Sequence, residues 1–183
     1  MKTGTKSVLF GVHQFLWHPI TVWMGWVALY GKRPTFKQCI AIAFHDSLGY
    51  IGSDRMDDEY GEEHPIRSAN MLLRFGELIG CPEFFREPAD EILRHSRYLC
   101  ARLGIKPSKL CWSDKMSLAF DPKWAYLLRG RLSGELYEYK QNAISSGALP
   151  ANVSNSEWFD WVRQKCVMVA IRQTPAQVRN RGE

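Results

Sequence analysis

The sequence predicts an all-α protein, and three observations carry that expectation. Apolar residues recur at helical spacing in long stretches such as "CIAIAF" and "NMLLRFGELIG", with almost none of the alternation that a half-buried strand requires. Glycine and proline punctuate these stretches at intervals that suit helix ends. The length, 183 residues of which 45% are hydrophobic and 13% aromatic, supports one domain with a substantial core and leaves little room for a second. The expectation is a single bundle of about seven to nine helices. It occupies residues 1–175, with 173–183 as a flexible tail.

A first helix is expected from about Lys6 to Trp17. A second runs from Pro19 to Tyr30, with Pro19 in the first turn, where a missing N–H costs nothing, and "GKRP" ends it. Val8 to Tyr30 is strongly apolar, but His13, Gln14, His18 and Pro19 interrupt it short of the roughly 20 apolar residues a membrane span needs. It therefore reads as two buried helix segments. A third helix, Thr35 to about Ser47, opens with Thr after Pro34. The polar loop "GYIGSDRMDDEYGEE" follows. The fourth helix starts near His64-Pro65 and stops at Gly80. The fifth runs from Glu83 or Pro88 to Gly104, and the sixth covers "LCWSDKMSLAF". Asp121 is a candidate cap for "DPKWAYLLRG". Two further helices, Leu132 to Ser145 and Ser156 to Ile171, are joined by "SGALPANVSN".

A net charge of +5 is compatible with an anionic ligand but too small and scattered to point to nucleic acid, and no membrane is expected as a partner. The five cysteines form no CxxC pair, which reads as reduced thiols and a cytoplasmic setting.

The histidines carry the most information. Of five, His18, His45, His64 and His95 each stand beside a helix signal and close to apolar residues. Neutral imidazole is a common metal ligand, and carboxylates complete such sites. Asp46 and Asp114 follow apolar runs, where an unpaired carboxylate would be costly to bury. Any one of these residues alone is more often a satisfied polar side chain. Their order matters, because helices of a bundle can bring such residues to one interior point.

That order resembles the HD superfamily of metal-dependent phosphohydrolases, with its H…HD…H…H…D signature. The matching segments are "LWHPITV", "AFHDSLGY", "EEHPIRSANML", "EILRHSR" and "WSDKMSL", within residues 15–125; C-terminal helices over 130–172 would complete the domain. "HPIRSANML" and "ILRHSR" resemble segments of the binuclear members, including the HD-GYP phosphodiesterases and bacterial diadenosine tetraphosphate hydrolases. Departures are visible too. "HDSLGY" has an extra residue before Gly49 and Tyr50 where lysine is common, Ser68 replaces a glycine, and no GYP motif follows His95.

The resemblance implies that His18, His45, Asp46 and Asp114 hold one metal ion. Asp46 would bridge to a second ion held by His64 and His95. Iron or manganese suits such a set better than magnesium or calcium does. The implied activity is hydrolysis of a nucleotide or related small phosphate ester by metal-activated water, with Asp46, Lys115 and Arg97 in catalytic roles. The same ligand order resembles diiron HD oxygenases acting on a polyol or phosphonate, and a non-catalytic nucleotide-sensing module is a third reading.

Several residues remain with two readings each. His13 is a structural histidine or an alternative first ligand. Lys115, Arg97 and Arg67 are phosphate contacts or exposed helical charges. Tyr50, Asp57 and Asp58 belong to a substrate-binding lid or a solvated acidic loop. Trp112, Trp124 and Tyr126 stack on a base or pack in the core. The segment 130–143, with Glu135, Glu138 and Lys140 on its surface, covers the bundle or contributes to a homo-oligomer contact.

Overall fold

The computed structural model describes residues 1–174, and among them it contains helices and no strand. The helices are α1 (Thr3–Phe10), α2 (Trp17–Tyr30), α3 (Phe36–Phe44), α4 (Glu59–Glu62), α5 (His64–Leu78), α6 (Pro82–Leu93), α7 (Arg97–Leu103), α8 (Lys109–Ser117), α9 (Lys123–Ser133), α10 (Glu135–Ser145) and α11 (Asn155–Gln173). The expected flexible tail, 173–183, lies outside the described residues from 175 onward. Gln173 still belongs to α11, and Thr174 is buried.

There are eleven helices among the described residues rather than seven to nine, and local hydrogen bonding explains the excess. The expected helix through Gly104 is broken: His95 N–H donates to the Ile92 carbonyl, and the Ser96 hydroxyl then caps α7 by accepting from Leu99 N–H. Apolar spacing continues across this break and so conceals it. The short α4 lies in the expected loop and begins where the Asp58 carboxylate accepts from Gly61 N–H.

Other boundaries also move. The first helix stops at Phe10 instead of reaching Trp17, because Gly11 N–H turns back to the carbonyls of Lys6 and Ser7. Asp121 does not cap α9; Pro122 occupies that position, and the Asp121 carboxylate accepts from Arg129 and from the Trp17 indole at 3.3 Å. Thr35 opens α3 as expected from its type, in a reciprocal capping box with Gln38. Ser154 and Glu157 do the same for α11.

Two large apolar cores result, with a small third cluster of Val8, Tyr50 and Met56. In the first, Val22, Trp26 and Leu29 of α2 pack with Ile42 of α3, Leu72 of α5, Ile92 of α6 and Leu110 of α8. The second gathers Tyr126, Leu136, Trp158 and Phe159 from α9, α10 and α11 around Val12. Truncating a fully buried Trp such as Trp26 or Trp158 to alanine costs about 3–5 kcal/mol, so each core contributes a large share of a domain's net stability. The 8–30 segment is less buried than its composition suggests: Leu9, Phe10, Phe15, Leu16, Ile20 and Met24 are exposed. No helix among the described residues is long and apolar enough to cross a membrane.

Between the two cores lies a cavity of about 930 Å³. The helices of the first core supply its polar floor, and those of the second supply Tyr126, Tyr139, Trp158 and Trp161 to its wall.

Candidate metal centre

Three of the histidines are aimed by the same local device. His45 ends α3, His64 opens α5 and His95 sits in the α6–α7 break. In each, Nδ1 lies within hydrogen-bond reach of the carbonyl three residues earlier: Ile42 at 2.8 Å, Gly61 at 2.7 Å and Ile92 at 2.6 Å. A carbonyl only accepts, so Nδ1 must carry the proton. The neutral ring then presents its Nε2 lone pair to the interior. Placement at helix ends makes this geometry available, because the backbone there is not committed to continuing a helix.

The Nε2 atoms converge on Asp46. Asp46 Oδ1 lies 3.2 Å from His64 Nε2 and 3.1 Å from His95 Nε2. Its other oxygen, Oδ2, lies 3.1 Å from His18 Nε2 and 3.2 Å from His45 Nε2. Asp114 Oδ1 completes the second group at 3.3 Å from His18. The donor atoms thus form two sets, His18, His45, Asp46 and Asp114 on one side and Asp46, His64 and His95 on the other, each with its atoms within 4.8 Å of one another. All are buried except Asp114, which is partly so.

The chemistry of these donors fits a cation. His64 and His95 face each other Nε2 to Nε2 at 2.9 Å, with a carboxylate oxygen beside both. With both protons committed at Nδ1, three lone-pair acceptors meet with no hydrogen among them, an arrangement that a positive ion relieves. The buried His/Asp groups could therefore hold a metal ion.

Charge follows the same pattern. Burial opposes ionisation of Asp46, but the surrounding histidines hold its carboxyl well below the ordinary range. Asp114 is likewise lowered against burial, by Lys115 and His18. Burial depresses His64 to about 4, outweighing the attraction of the neighbouring Asp46 carboxylate for its protonated form. His18 and His45 move the other way: burial opposes their protonation, and the adjacent carboxylates raise them.

The remaining sequence candidates separate. Lys115 Nζ lies 2.8 Å from Asp114 Oδ2, and both Lys115 and the exposed Arg97 line the cavity. Tyr50 also lines it, its ring stacked on His64 with centroids 3.9 Å apart. Asp57 lines it as well, accepting from Asn142 Nδ2 at 2.6 Å. Asp58 is occupied as the α4 cap. Arg67 donates to the carbonyls of Gly49 and Tyr60 and stacks over the Tyr60 ring, outside the cavity lining. Of the three aromatics, Trp112 and Tyr126 line the cavity while Trp124 is exposed on α9.

Gly49, the glycine displaced by one residue in "HDSLGY", packs against the start of α5. A Cβ there would stand 2.1 Å from the His64 carbonyl oxygen and 2.6 Å from Ser68 Oγ. The strand of chain after Asp46 can reach the His64 turn only without a side chain at this position.

Residues 130–143 require the largest correction. Glu135 and Glu138 are not on the surface: Glu135 is 0% and Glu138 8% exposed. Glu138 Oε1 accepts from the backbone N–H groups of Met56 and Asp57, at 2.9 and 3.0 Å, and so holds the acidic loop against α10. Glu135 holds the 11–13 turn through Val12 N–H at 2.9 Å and His13 Nδ1 at 2.8 Å. Glu135, Glu138 and Asn142 lie at helical spacing on one face of α10, opposite the exposed Tyr137, a pattern that could have signalled a polar face with buried partners.

No family model matches this chain, and no curated protein or solved structure matches it. Fold and site together define a helical protein with a buried His/Asp cluster able to bind metal, compatible with an HD-type bundle.

Proposed function

We propose that this chain is an HD-type metal-dependent phosphohydrolase, acting on a nucleotide or a related small phosphate ester with two transition-metal ions, iron or manganese. The observation that carries the reading is the division of Asp46: one carboxylate oxygen faces His18 and His45, and the other faces His64 and His95. Asp46 thus offers one oxygen to each of the two donor sets and would contribute to holding an ion in either.

Bound ions would supply Lewis acidity toward a phosphoryl oxygen and lower the pKa of water. The chain's own groups do the rest. Lys115, kept charged by Asp114 against the effect of burial, presents an ammonium at the cavity wall. Arg97 offers a planar guanidinium at the rim, suited to two phosphate oxygens. These two cations favour a phosphate ester over an uncharged polyol. The aromatic wall of Tyr139, Trp158 and Trp161 gives a base or other flat group a surface and keeps bulk water away.

The deciding experiment is turnover of a panel of nucleotides and phosphate esters by the full chain loaded with manganese. Release of phosphate or nucleoside is the expected result. Bound metal without turnover of any ester would overturn the reading. Oxygen uptake by the reduced iron form with a polyol or phosphonate would replace it with an oxygenase.

A further inference from the structure

The bridging carboxylate has one more neighbour outside both donor sets. His13 Nε2 lies 3.9 Å from Asp46 Oδ2, and the ring lines the cavity 5.3 Å from the His18 ring and 5.0 Å from that of Tyr50. His13 belongs to neither set of donor atoms that lie within 4.8 Å of one another. Its other nitrogen is taken: Nδ1 bonds to Glu135 Oε1 at 2.8 Å, so Nε2 is the ring nitrogen left to face the cavity.

The support behind this ring is extensive. Glu135 is fully buried and also accepts from Ser7 Oγ at 2.6 Å, Ser133 Oγ at 2.5 Å and Val12 N–H at 2.9 Å. The backbone comes so close that a Cβ on Gly11 would stand 2.4 Å from Glu135 Oε2. A buried carboxylate is costly, and this one is matched by four donors, one of them the imidazole that it holds in place.

We propose that His13, oriented by Glu135, is a hydrogen-bonding residue of the site: its Nε2 engages the oxygen, of solvent or substrate, that occupies the cavity beside Asp46. Glu135 is the positioning residue. The assignment of that oxygen to a reacting water or ester rests on the hydrolase reading; the hydrogen bond itself does not.

Two variants of the full chain test it, each loaded with Co²⁺ and compared with the unsubstituted protein. His13→Phe keeps a ring and removes the polar atom, while His13→Gln returns an amide near the Nε2 position. Both should keep the same metal content. His13→Phe should alter the visible cobalt bands and lower kcat by about 100-fold with little change in KM, the scale of a mispositioned reacting group. His13→Gln should restore part of both. Unchanged bands and kcat in His13→Phe, or loss of metal from it, would overturn the proposal. If the unsubstituted protein turns over no phosphate ester, the hydrolase reading falls and the cobalt bands alone decide the role of His13. Should His13→Phe not fold, His13→Asn, whose amide stops short of Nε2, takes its place under the same readouts.

Discussion

His64 and His95 meet nitrogen to nitrogen, their Nε2 atoms 2.9 Å apart beside Asp46 Oδ1, although they enter the site from different breaks between helices. Each ring is turned inward by its own Nδ1 bond to a carbonyl one turn earlier. The pair therefore exists because two independent local turns point at the same carboxylate.

Removing one member of that pair should remove one ion. Metal analysis of His95→Ala is expected to fall from about two ions per chain to about one, and of His18→Ala likewise from the other set. Asp46→Asn should weaken both. An unchanged count in His95→Ala would contradict the two-set arrangement.

Metal binding should stabilise the protein more as pH rises. In the metal-free chain, carboxylates raise His18 and His45 against burial. Groups with a raised folded pKa contribute stability that is full below their unfolded value near 6.5 and is lost as pH rises through the folded value. A metal ion needs those nitrogens unprotonated, so its stabilising effect grows over the same window. His64, depressed to about 4, acts on the other side, where stability is lost as pH falls from 6.5 toward 4. Thermal shift with and without Mn²⁺ across pH 6–8.5 checks this, and a shift that shrinks with pH would refute it.

Lys115 and Arg97 should separate kinetically. Lys115 lies against Asp114, so Lys115→Met is expected to lower kcat by about 10- to 100-fold, as loss of a positioned charge does. Arg97 stands at the exposed rim, and Arg97→Ala should raise KM by about tenfold with a smaller effect on kcat. Steady-state kinetics on the best ester of the panel measures both.

Gly49→Ala should damage fold and site together. The added Cβ meets the His64 carbonyl at 2.1 Å, a backbone atom with nowhere to retreat. Destabilisation of about 3 kcal/mol or more is expected by denaturant titration, with loss of the ion held by His64 and His95.

Glu135→Leu should be comparably severe, at about 3–5 kcal/mol, because it leaves the buried Val12 N–H without its acceptor and removes the carboxylate that binds His13 and the Ser7 and Ser133 hydroxyls. An exposed glutamate, as its helical context first suggested, would cost less than about 0.5 kcal/mol.

The sequence by itself determined the helical class and the cap at Thr35, because those depend on spacing and on bonds within one turn; the cap at Ser96 it concealed. It also supplied the donor residues, His18, His45, Asp46, His64, His95 and Asp114, as an ordered set of costly groups beside apolar runs. Only the tertiary structure decided which oxygen of Asp46 faces which histidines, that Arg67 serves the backbone, and that His13, Glu135 and Glu138 face inward. The reason is range. Glu135 looks like a surface acid from its own helix because its partner His13 lies 122 residues away, and no local pattern records that contact. Where the compensating group is distant in sequence, burial of a charge becomes visible only once the chain has folded.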